Sequence, residues 1–178
     1  IISSAYPGIN IDTEEQKQKS LENYMKAQTE NPLVKFYGVF EADKMLGAMK
    51  FFDFNMKLLS TKIKVGGVGS VAVDLLHKKE KVAKEILTNF IKHYKKQGAP
   101  MAILYPFNTE FYKKMGFGFG TSLTQYRVKP ANLPKGMSKS NIVHIKKDNV
   151  SKVLDCYNRM YEKTNGLIEK KERDFAVL

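Results

Sequence analysis

Residues 68–98 read VGSVAVDLLHKKEKVAKEILTNFIKHYKKQG, and they set the organisation of the whole chain. The SVAV run is short, apolar and β-branched, which is typical of a buried strand. From Val82 onward the apolar residues recur at the spacing of one helix face, and Gly98 stands where helices commonly end in a glycine. The stretch therefore predicts a strand, a lysine-rich corner and a helix, in that order.

The corner DLLHKKEK between this strand and this helix is a candidate anion site. A helix N-terminus presents unpaired N–H groups and a partial positive charge, and both suit a phosphate. Lys78, Lys79 and Lys81 add positive charge at the same end of the helix. Taken alone, a surface turn with solvated lysines explains the same residues, so the assignment depends on what surrounds the corner.

The composition is that of a globular protein of one domain or two small ones. The chain has 178 residues, of which 43% are hydrophobic and 27% charged. No apolar run is long enough to cross a bilayer, and no membrane partner is expected. The single cysteine, Cys156, excludes an internal disulfide and predicts a reducing, cytoplasmic compartment. Three scattered histidines and one cysteine argue against a zinc site, so no metal is expected.

The chain is strongly basic. Its formal net charge is +12, and its pI is about 9.6. Such a balance favours anionic partners, including nucleic acid and phosphate-bearing cofactors. The lysines are spread along the chain, however, which indicates a generally basic surface rather than a nucleic-acid footprint.

The residues before the corner predict a helix followed by an antiparallel meander. Thr13 opens a capping-box pattern, and the helix should run over residues 13–29 with one apolar face made by Leu21, Tyr24 and Met25. Strands are predicted over residues 34–40, 45–59 and 63–73. Glycines at 66, 67 and 69 interrupt the third strand, which suggests a bulge or a place of close backbone approach.

After Gly98, the apolar run PMAILYP predicts a strand parallel to the one before the helix. Residues 108–116 predict a short helix, with Asn108 or Thr109 as N-cap and Gly116 as C-cap. FGFGTSLTQYRVK then predicts one or two further strands over residues 117–129, and a Pro/Gly/Ser-rich linker follows over residues 130–140.

The last residues predict a new unit. NIVHIKK, residues 141–147, is a predicted strand, and Asp148 is the predicted cap of a helix. The apolar face of that helix comprises Val150, Val153, Leu154, Tyr157 and Tyr161. Roughly forty residues are too few for an independent core, so this tail either packs on the first domain or begins a truncated second one. We expect truncation.

Two segments carry a resemblance to the GNAT superfamily of N-acetyltransferases, which transfer acetyl from acetyl-CoA to an amine. VAVDLLHKKEKVA resembles the acetyl-CoA signature R/Q-x-x-G-x-G/A, and NTEFYKKMGFG resembles the family's fifth-strand and fourth-helix segment. The resemblance implies an α/β (α+β) GNAT fold, a mixed and mostly antiparallel twisted sheet with flanking helices and a splayed parallel pair around the cofactor. The acetyl-CoA-binding domain would span residues 1–129 without its first strand, and a second GNAT-like domain would begin at residue 141.

Within the superfamily the chain is similar to the Eis type, the enhanced-intracellular-survival acetyltransferases. The likeness is carried by the segments HKKEK, FYKKMGFGFGT and QYRVKPANLP. Those bacterial proteins have tandem GNAT folds and a further C-terminal domain and form hexamers, so the resemblance implies a fragment and a homo-oligomer. Their general base is the terminal carboxylate, which the resemblance places far beyond Leu178. No base is assigned here.

The resemblance implies that the strand and the corner hold acetyl-CoA. The strand contributes backbone groups for pantetheine and a donor to the acetyl carbonyl near Val71, and the corner contributes lysines and amides for the pyrophosphate. The candidate cofactor-binding residues are Val71, Ala72, Val73, Lys78, Lys79, Glu80, Lys81, Val82, Ala83 and Asn108. For Asn108, helix capping is an equally good explanation.

Lys81 departs from the signature, because glycine usually occupies this place. A negative φ would let its amide face the pyrophosphate, whereas a positive φ would strain the site. We expect a negative φ at Lys81.

Tyr112 is the candidate catalytic residue. The resemblance implies that it is the general acid that protonates the departing thiolate, and a phenol with a pKa near ~10 is protonated at neutral pH. The alternative is that Tyr112 is only part of an aromatic core with Phe111.

The expected function is therefore acetyl transfer from acetyl-CoA to the primary amine of a small molecule, with aminoglycosides and polyamines as candidate acceptors by resemblance. Two alternatives stay open. One is a basic nucleic-acid-binding module, although no such partner is expected, and the other is a catalytically inactive GNAT-like interaction domain.

Overall fold

A computed structural model describes residues 1–6, 8–120, 122, 124–136, 138, 140, 143–146 and 149–175. Its helices and strands are, in chain order, α1 (Ile2–Ala5), α2 (Glu14–Glu30), β1 (Val34–Glu41), β2 (Lys44–Leu58), β3 (Thr61–Val73), α3 (Val82–Lys96), β4 (Met101–Leu104), α4 (Thr109–Lys113) and α5 (Val150–Tyr161). Short 3₁₀ turns lie at Leu75–His77, Pro130–Asn132 and Glu172–Phe175. In this part of the chain, no helix is long and apolar enough to cross a membrane.

The four strands form one sheet in the order β1-β2-β3-β4. The first three strands are antiparallel neighbours, whereas β3 and β4 are parallel and are joined through α3. The predicted meander and parallel crossover are confirmed. A parallel pair requires such a crossover, and the helix that supplies it covers the sheet face beneath it.

The core lies between α3 and one face of the sheet. The predicted stripe is confirmed, because Val82, Ile86, Phe90 and Tyr94 are all buried and both Ile86 and Phe90 are 0% exposed. Facing them on the sheet are the buried side chains of Met49, Phe51 and Val68. The helix ends where expected, and Gly98 has a φ of +73° that suits glycine.

Helix α2 lies on the opposite face of the sheet. Its N-terminus is confirmed, since Thr13 forms a complete capping box with Gln16. Tyr24 packs edge-on against Phe36, with ring centroids 5.2 Å apart. The rest of the predicted apolar face is largely exposed, with Leu21 at 54% and Met25 at 64%. Helix α2 therefore contributes far less to the core than α3 does.

The glycines of β3 coincide with a close approach to the backbone and with a bulge, which are the two features predicted for them. The side chain of Tyr94 crosses directly over Gly66, where a Cβ atom would lie 2.3 Å from the ring. Farther along, the register between β2 and β3 shifts, so that Ser70 and Val71 lie opposite Met49. Ser70 has a φ of +50° at this bulge.

Two predicted strand regions are wrong for the residues that the structure describes. Residues 117–120, 122 and 124–129 contain no strand, and neither do residues 143–146. Phe117 packs against Tyr112, but other apolar side chains of these segments stay exposed, as at Phe119 (75%), Tyr126 (84%) and Val143 (65%). Alternating apolar residues form a strand only where a neighbouring strand pairs with them, and these segments have none within the described chain. Residues 141, 142 and 147 lie outside the described residues.

The tail contacts the far end of the β2–β3 hairpin. The amide of Gly166 donates to the carbonyl of Lys57, and the amide of Glu169 donates to that of Asn55 at 2.8 Å. Helix α5 follows Asn149, whose side chain makes no capping bond to the helix, and the predicted cap Asp148 lies outside the described residues. The division of the chain into two domains stays a prediction.

Candidate active site

The parallel strands β3 and β4 diverge at the centre of the sheet. They pair over residues 65–68 and 101–104, with Val68 opposite Leu104 as the last pair. Strand β3 then continues to Val73 without β4 beside it, which confirms the predicted splay. The bulge at Ser70 and Val71 also interrupts pairing with β2 at this point. Apart from the carbonyl of Val71, which accepts a bond from the Tyr6 hydroxyl, the backbone groups of residues 69–73 on the side that β4 has left are therefore available to a ligand that enters between the strands.

The corner between β3 and α3 is built from strained backbone. Lys79 has a φ of +72° and Lys81 a φ of +66° with a ψ of 7°, both in the left-handed region. The expected negative φ at Lys81 is wrong. The chain turns from strand to helix at Lys81, and a left-handed N-cap makes that turn, which is why glycine suits this position. A lysine in this conformation costs about 1–2 kcal/mol relative to a relaxed residue.

A cleft of about 510 Å³, which we call the corner cleft, opens beside this turn on the α3 side of the sheet. Its lining residues are Val73, His77, Lys78, Lys79, Lys81, Val82, Ala83, Lys84, Leu87, Thr88, Ile91, Phe111, Lys114 and Met115. One end is therefore cationic and the rest is apolar. No side chain caps the N-terminus of α3, so the first N–H groups of the helix are not satisfied by a cap.

His77 and Glu80 form a pair at the rim of the corner cleft. The Nδ1 atom of His77 lies 2.7 Å from a carboxylate oxygen of Glu80. This bond engages the Glu80 carboxylate, and Glu80 does not line the cleft. The Nε2 atom of His77 is buried and has no hydrogen-bond partner among the described residues.

A second cleft of about 610 Å³, which we call the aromatic cleft, lies between the diverging strands. Its lining residues are Tyr6, Phe52, Phe54, Gly67, Val68, Gly69, Ser70, Val71, Ile103, Leu104, Tyr105, Pro106, Phe107 and Tyr112. The two clefts adjoin each other at β3 and at α4. Val73 and Phe111 line the corner cleft, whereas Val71 and Tyr112 line the aromatic cleft. A ligand held in one cleft is therefore close to a ligand held in the other.

Tyr112 is a buried phenol at the wall of the aromatic cleft, with 5% of its surface exposed. Its ring packs edge-on against Phe107, Phe111 and Phe117, with centroids 5.1–6.0 Å apart. Burial, and secondarily the nearby Tyr6, raises the pKa of Tyr112 to about 12. The phenol therefore stays protonated throughout the neutral pH range and can donate a proton. Its position is consistent with a role as general acid and also with a role only in the aromatic core.

Tyr6 is a site residue that the sequence did not reveal. Its hydroxyl donates to the carbonyl of Val71 at 3.2 Å, across 65 residues of chain. Burial raises the pKa of Tyr6, and the bond to Val71 partly offsets that rise. A second phenol thus lies in the aromatic cleft near Tyr112, on a segment with no local pattern that would point to it. The same holds for Lys84 and Lys114 of the corner cleft, since a helical lysine is usually solvated.

Most of the candidate site residues come together around the two clefts. Val73, Lys78, Lys79, Lys81, Val82 and Ala83 line the corner cleft, and Val71 and Tyr112 line the aromatic cleft. Three candidates lie elsewhere. Ala72 is buried opposite Ala48 in the sheet, Glu80 is held by His77, and Asn108 caps α4 by accepting a bond from the amide of Phe111 at 3.1 Å. Their roles, like those of the others, stay predictions.

Within the described ranges, no three His, Cys, Asp or Glu side chains cluster so that they could hold a metal ion. The polar groups of the two clefts are lysine ammonium groups, a histidine, hydroxyls and backbone amides. This arrangement can bind an extended anionic ligand at the corner, and it can offer a proton from Tyr112.

Comparison with known families identifies this fold. Residues 9–120 match the sequence model of the family described as "Acetyltransferase (GNAT) domain", which covers more than half of the chain. No curated protein matches the chain in sequence.

Solved structures with the same fold include several acetyltransferases. The chain is similar to a GCN5-related N-acetyltransferase from Kribbella flavida, with a TM-score of 0.72 and 17% identity over 99% of this chain and 45% of that one. It is also similar to glucosamine-6-phosphate N-acetyltransferase from Arabidopsis thaliana, with a TM-score of 0.52 and 17% identity over 72% of this chain and 86% of that one.

A GCN5-related N-acetyltransferase from Ralstonia eutropha has a TM-score of 0.51 and 13% identity over 67% of this chain and 82% of that one. At these identities the likeness is one of fold, and the chain spans less than half the length of the Kribbella protein. The TM-scores indicate a shared fold in each case. Together with the match over residues 9–120, this likeness shows that this chain belongs to the GNAT acetyltransferase family and has the GNAT fold.

Proposed function

We propose that this chain is an acetyl-CoA-dependent N-acetyltransferase that acts on a primary amine. The observation that carries the proposal is the divergence of β3 and β4 between a lysine-rich helix N-terminus and a buried tyrosine. Family membership supports N-acetyl transfer in general. The acetyl donor and the amine acceptor are inferred from the chemistry of the two clefts.

The corner cleft fits the donor's charged end. Lys78, Lys79, Lys81 and Lys84 would hold the phosphates, together with the uncapped N–H groups at the start of α3. Residues 79 and 81 are left-handed, a conformation that also occurs in backbone concavities that bind anions. The apolar part of the cleft, with Val73, Leu87 and Met115, would hold the pantetheine arm.

Bound acetyl-CoA would supply an acetyl thioester at the junction of the clefts. The amine nitrogen donates its lone pair to the acetyl carbon, the carbon–sulfur bond breaks, and its electron pair leaves with sulfur. Tyr112 donates its hydroxyl proton to that sulfur, and the proton lost by the nitrogen restores the phenol or passes to water. Backbone N–H groups near Val71 are the candidate donors to the carbonyl oxygen.

Finer features of the proposal rest on the sequence motifs quoted above. They are membership of the Eis type, assembly as a homo-hexamer, a cytoplasmic location and a general base supplied by a terminal carboxylate. Leu178 lies outside the described residues. Aminoglycoside- and polyamine-like acceptors belong to the same set of proposals, and they form one arm of the acceptor test below.

The test is thermal unfolding with and without acetyl-CoA. At a concentration of about 100 times its dissociation constant, the ligand should stabilise the protein by about 2.7 kcal/mol, which is a shift of several degrees. The double variant Lys78→Glu/Lys79→Glu should lose most of this shift, because it reverses charge at the corner cleft.

Lys95→Glu/Lys96→Glu is the matched control, since it makes the same charge change at the other end of α3. It should keep the shift. Absence of a shift in the wild-type protein, or an equal loss in both double variants, would contradict the proposed site. Release of free thiol from acetyl-CoA in the presence of amines then measures turnover.

A further inference from the structure

The aromatic cleft has an unusual wall for a site that receives amines. It is lined by six aromatic side chains, those of Tyr6, Phe52, Phe54, Tyr105, Phe107 and Tyr112. Phe52 and Phe54 stack on the sheet with ring centroids 5.4 Å apart and planes 9° from parallel. Both rings lie over the glycine backbone of β3, which lets them approach closely. The wall is therefore flat and apolar.

No charged side chain lines the aromatic cleft in the described part of the chain. Its polar side chains are the hydroxyls of Tyr6, Ser70, Tyr105 and Tyr112. One ring of this wall contacts a positive charge, since the ammonium of Lys50 lies 5.1 Å from the centroid of the Phe52 ring. A polyamine or aminoglycoside brings several ammonium groups, and each needs a carboxylate or water when it is buried. Such a carboxylate is not among the described lining residues.

We propose that the acetyl acceptor is an amine carried by an aromatic or similarly flat apolar body, held in the aromatic cleft with its nitrogen toward Tyr112. The proposal rests on the N-acetyltransferase function proposed above and follows the same atom balance. The ring of the acceptor would pack against Phe52, Phe54 and Phe107, and such contacts favour a ring over an alkyl chain. The cleft volume of about 610 Å³ lies in the range of small-molecule sites.

The apolar wall also helps the chemistry. Only a neutral amine can attack, and an apolar surrounding disfavours the ammonium form. A monoamine loses its single charge on entering, whereas a polycation would keep charges that this wall does not compensate.

The experiment compares four compounds that carry primary amines by the release of free thiol from acetyl-CoA. The panel is 2-phenylethylamine, propylamine, spermidine and kanamycin. We expect kcat/KM for 2-phenylethylamine to exceed that for propylamine and for spermidine by tenfold or more. A second readout is binding, since 2-phenylethylamine should raise the Tm of the protein in the presence of CoA, and propylamine should not.

The variant Phe54→Ala removes one ring of the wall but lies outside the core cluster under α3. It should lower the ratio of kcat/KM for 2-phenylethylamine to kcat/KM for propylamine about tenfold and leave the acetyl-CoA shift in Tm unchanged. Phe40→Ala is the matched control, because Phe40 is 55% exposed near the β1–β2 turn and does not line the cleft. If Phe54→Ala does not fold, the comparison of amines on the wild-type protein decides the matter.

The outcomes separate the two proposals. Turnover of spermidine or kanamycin that equals or exceeds that of 2-phenylethylamine would overturn the aromatic acceptor and leave the N-acetyltransferase function standing. An acetyl-CoA shift in Tm without any preference for a ring would do the same. No shift and no thiol release with any amine would overturn the function itself, and the acceptor proposal with it.

Discussion

The two halves of strand β3 have the same kind of sequence but opposite roles. Residues 61–68, the paired half, all pair with β2, and residues 65–68 also pair with β4 on the other side, where Val65 is 1% exposed. Residues 69–73, the open half, have lost β4 as a neighbour and carry a bulge against β2. The paired half holds the fold together, and the open half borders both clefts.

The difference arises from what the neighbouring elements do. Beside the paired half, Tyr94 of α3 presses on Gly66, and its hydroxyl donates to Asp53 at 2.8 Å. Beside the open half, β4 has ended at Leu104 and the chain turns away toward Tyr112. A site built at the end of a rigid pair gains precision from the pair, while its own backbone groups stay free for a ligand.

The largest effect on activity is expected beside the open half, at Tyr112. Tyr112→Phe removes the hydroxyl without removing the ring, so the packing against Phe107 and Phe111 is kept. We expect kcat to fall about 100-fold or more, with the acetyl-CoA shift in Tm unchanged. Tyr126→Phe, at a residue that is 84% exposed, is the matched control and should keep full activity. Equal activity of the two variants would make Tyr112 a packing residue.

The pH dependence of Tyr112 offers a sharper form of this test. Because burial, and then Tyr6, raises its pKa to about 12, folding favours the neutral phenol. The stabilisation is complete below the ordinary tyrosine pKa of about 10 and is lost as the pH rises toward 12. Burial also raises the pKa of Tyr6, Tyr94 and Tyr157, so phenolate absorbance should show one fewer late-titrating tyrosine in Tyr112→Phe than in the wild-type protein. An unchanged late titration would contradict this assignment.

In the paired half, the strongest test is Gly66→Ala. A Cβ atom there would lie 2.3 Å from the Tyr94 ring, and the ring cannot swing aside without breaking its bond to Asp53. We expect a loss of about 2–3 kcal/mol in the free energy of unfolding, measured by denaturant titration. Gly118→Ala is the matched control, because nothing lies within 4 Å of its added Cβ. If Gly66→Ala loses no more unfolding free energy than Gly118→Ala does, the contact with Tyr94 is not tight.

Lys81→Gly tests the strain at the corner. Glycine tolerates the φ of +66° that lysine adopts here, so the change should stabilise the protein by about 1 kcal/mol. Lys84→Gly, three residues into the same end of α3, should destabilise it by about 1 kcal/mol, because its backbone is helical. Unfolding experiments on the two variants should therefore differ in sign. A loss of stability in both would mean that the corner is not strained.

Local patterns in the sequence were sufficient for the two long helices that pack on the sheet. The apolar period of α3, the capping box at Thr13 and the glycine at 98 depend on neighbours within one or two turns, and each is found as predicted. The open half was predictable only in outline. Its splay followed from family resemblance, whereas the left-handed lysine at 81 did not, since lysine carries no preference for that conformation.

The other features that the sequence did not predict share a cause, because they depend on residues far apart in the chain. Tyr6 reaches Val71 across 65 residues, and nothing near Tyr6 signals the contact. Residues 117–129 have the alternation of a strand, yet alternation does not reveal whether a partner strand exists. The lining of the aromatic cleft comes from four separate segments, so its lack of charged side chains emerged only from the folded chain.

The smallest effect is expected at the far end of the paired half, where the tail docks. Glu169 accepts a bond from Lys62 Nζ at 2.6 Å and from the side chain of Asn55 at 2.9 Å. These bonds, that of Lys62 first, lower the pKa of Glu169. The stabilisation is therefore present above the ordinary glutamate pKa of about 4.3 and is lost as the pH falls below it.

Glu169→Gln should cost less than about 1 kcal/mol at neutral pH, because the pair is partly exposed to solvent. The difference from the wild-type protein should shrink as the solution is acidified and as salt is added. Glu30→Gln is the control, since its pair with Lys26 is looser at 3.8 Å and both side chains are exposed. If the two variants unfold alike at every pH, the Lys62–Glu169 pair does not hold the tail. The Lys57–Glu162 pair and the backbone bonds that Gly166 and Glu169 donate to β2 would then be what holds it, and the backbone bonds follow the pairing of strands rather than the pH.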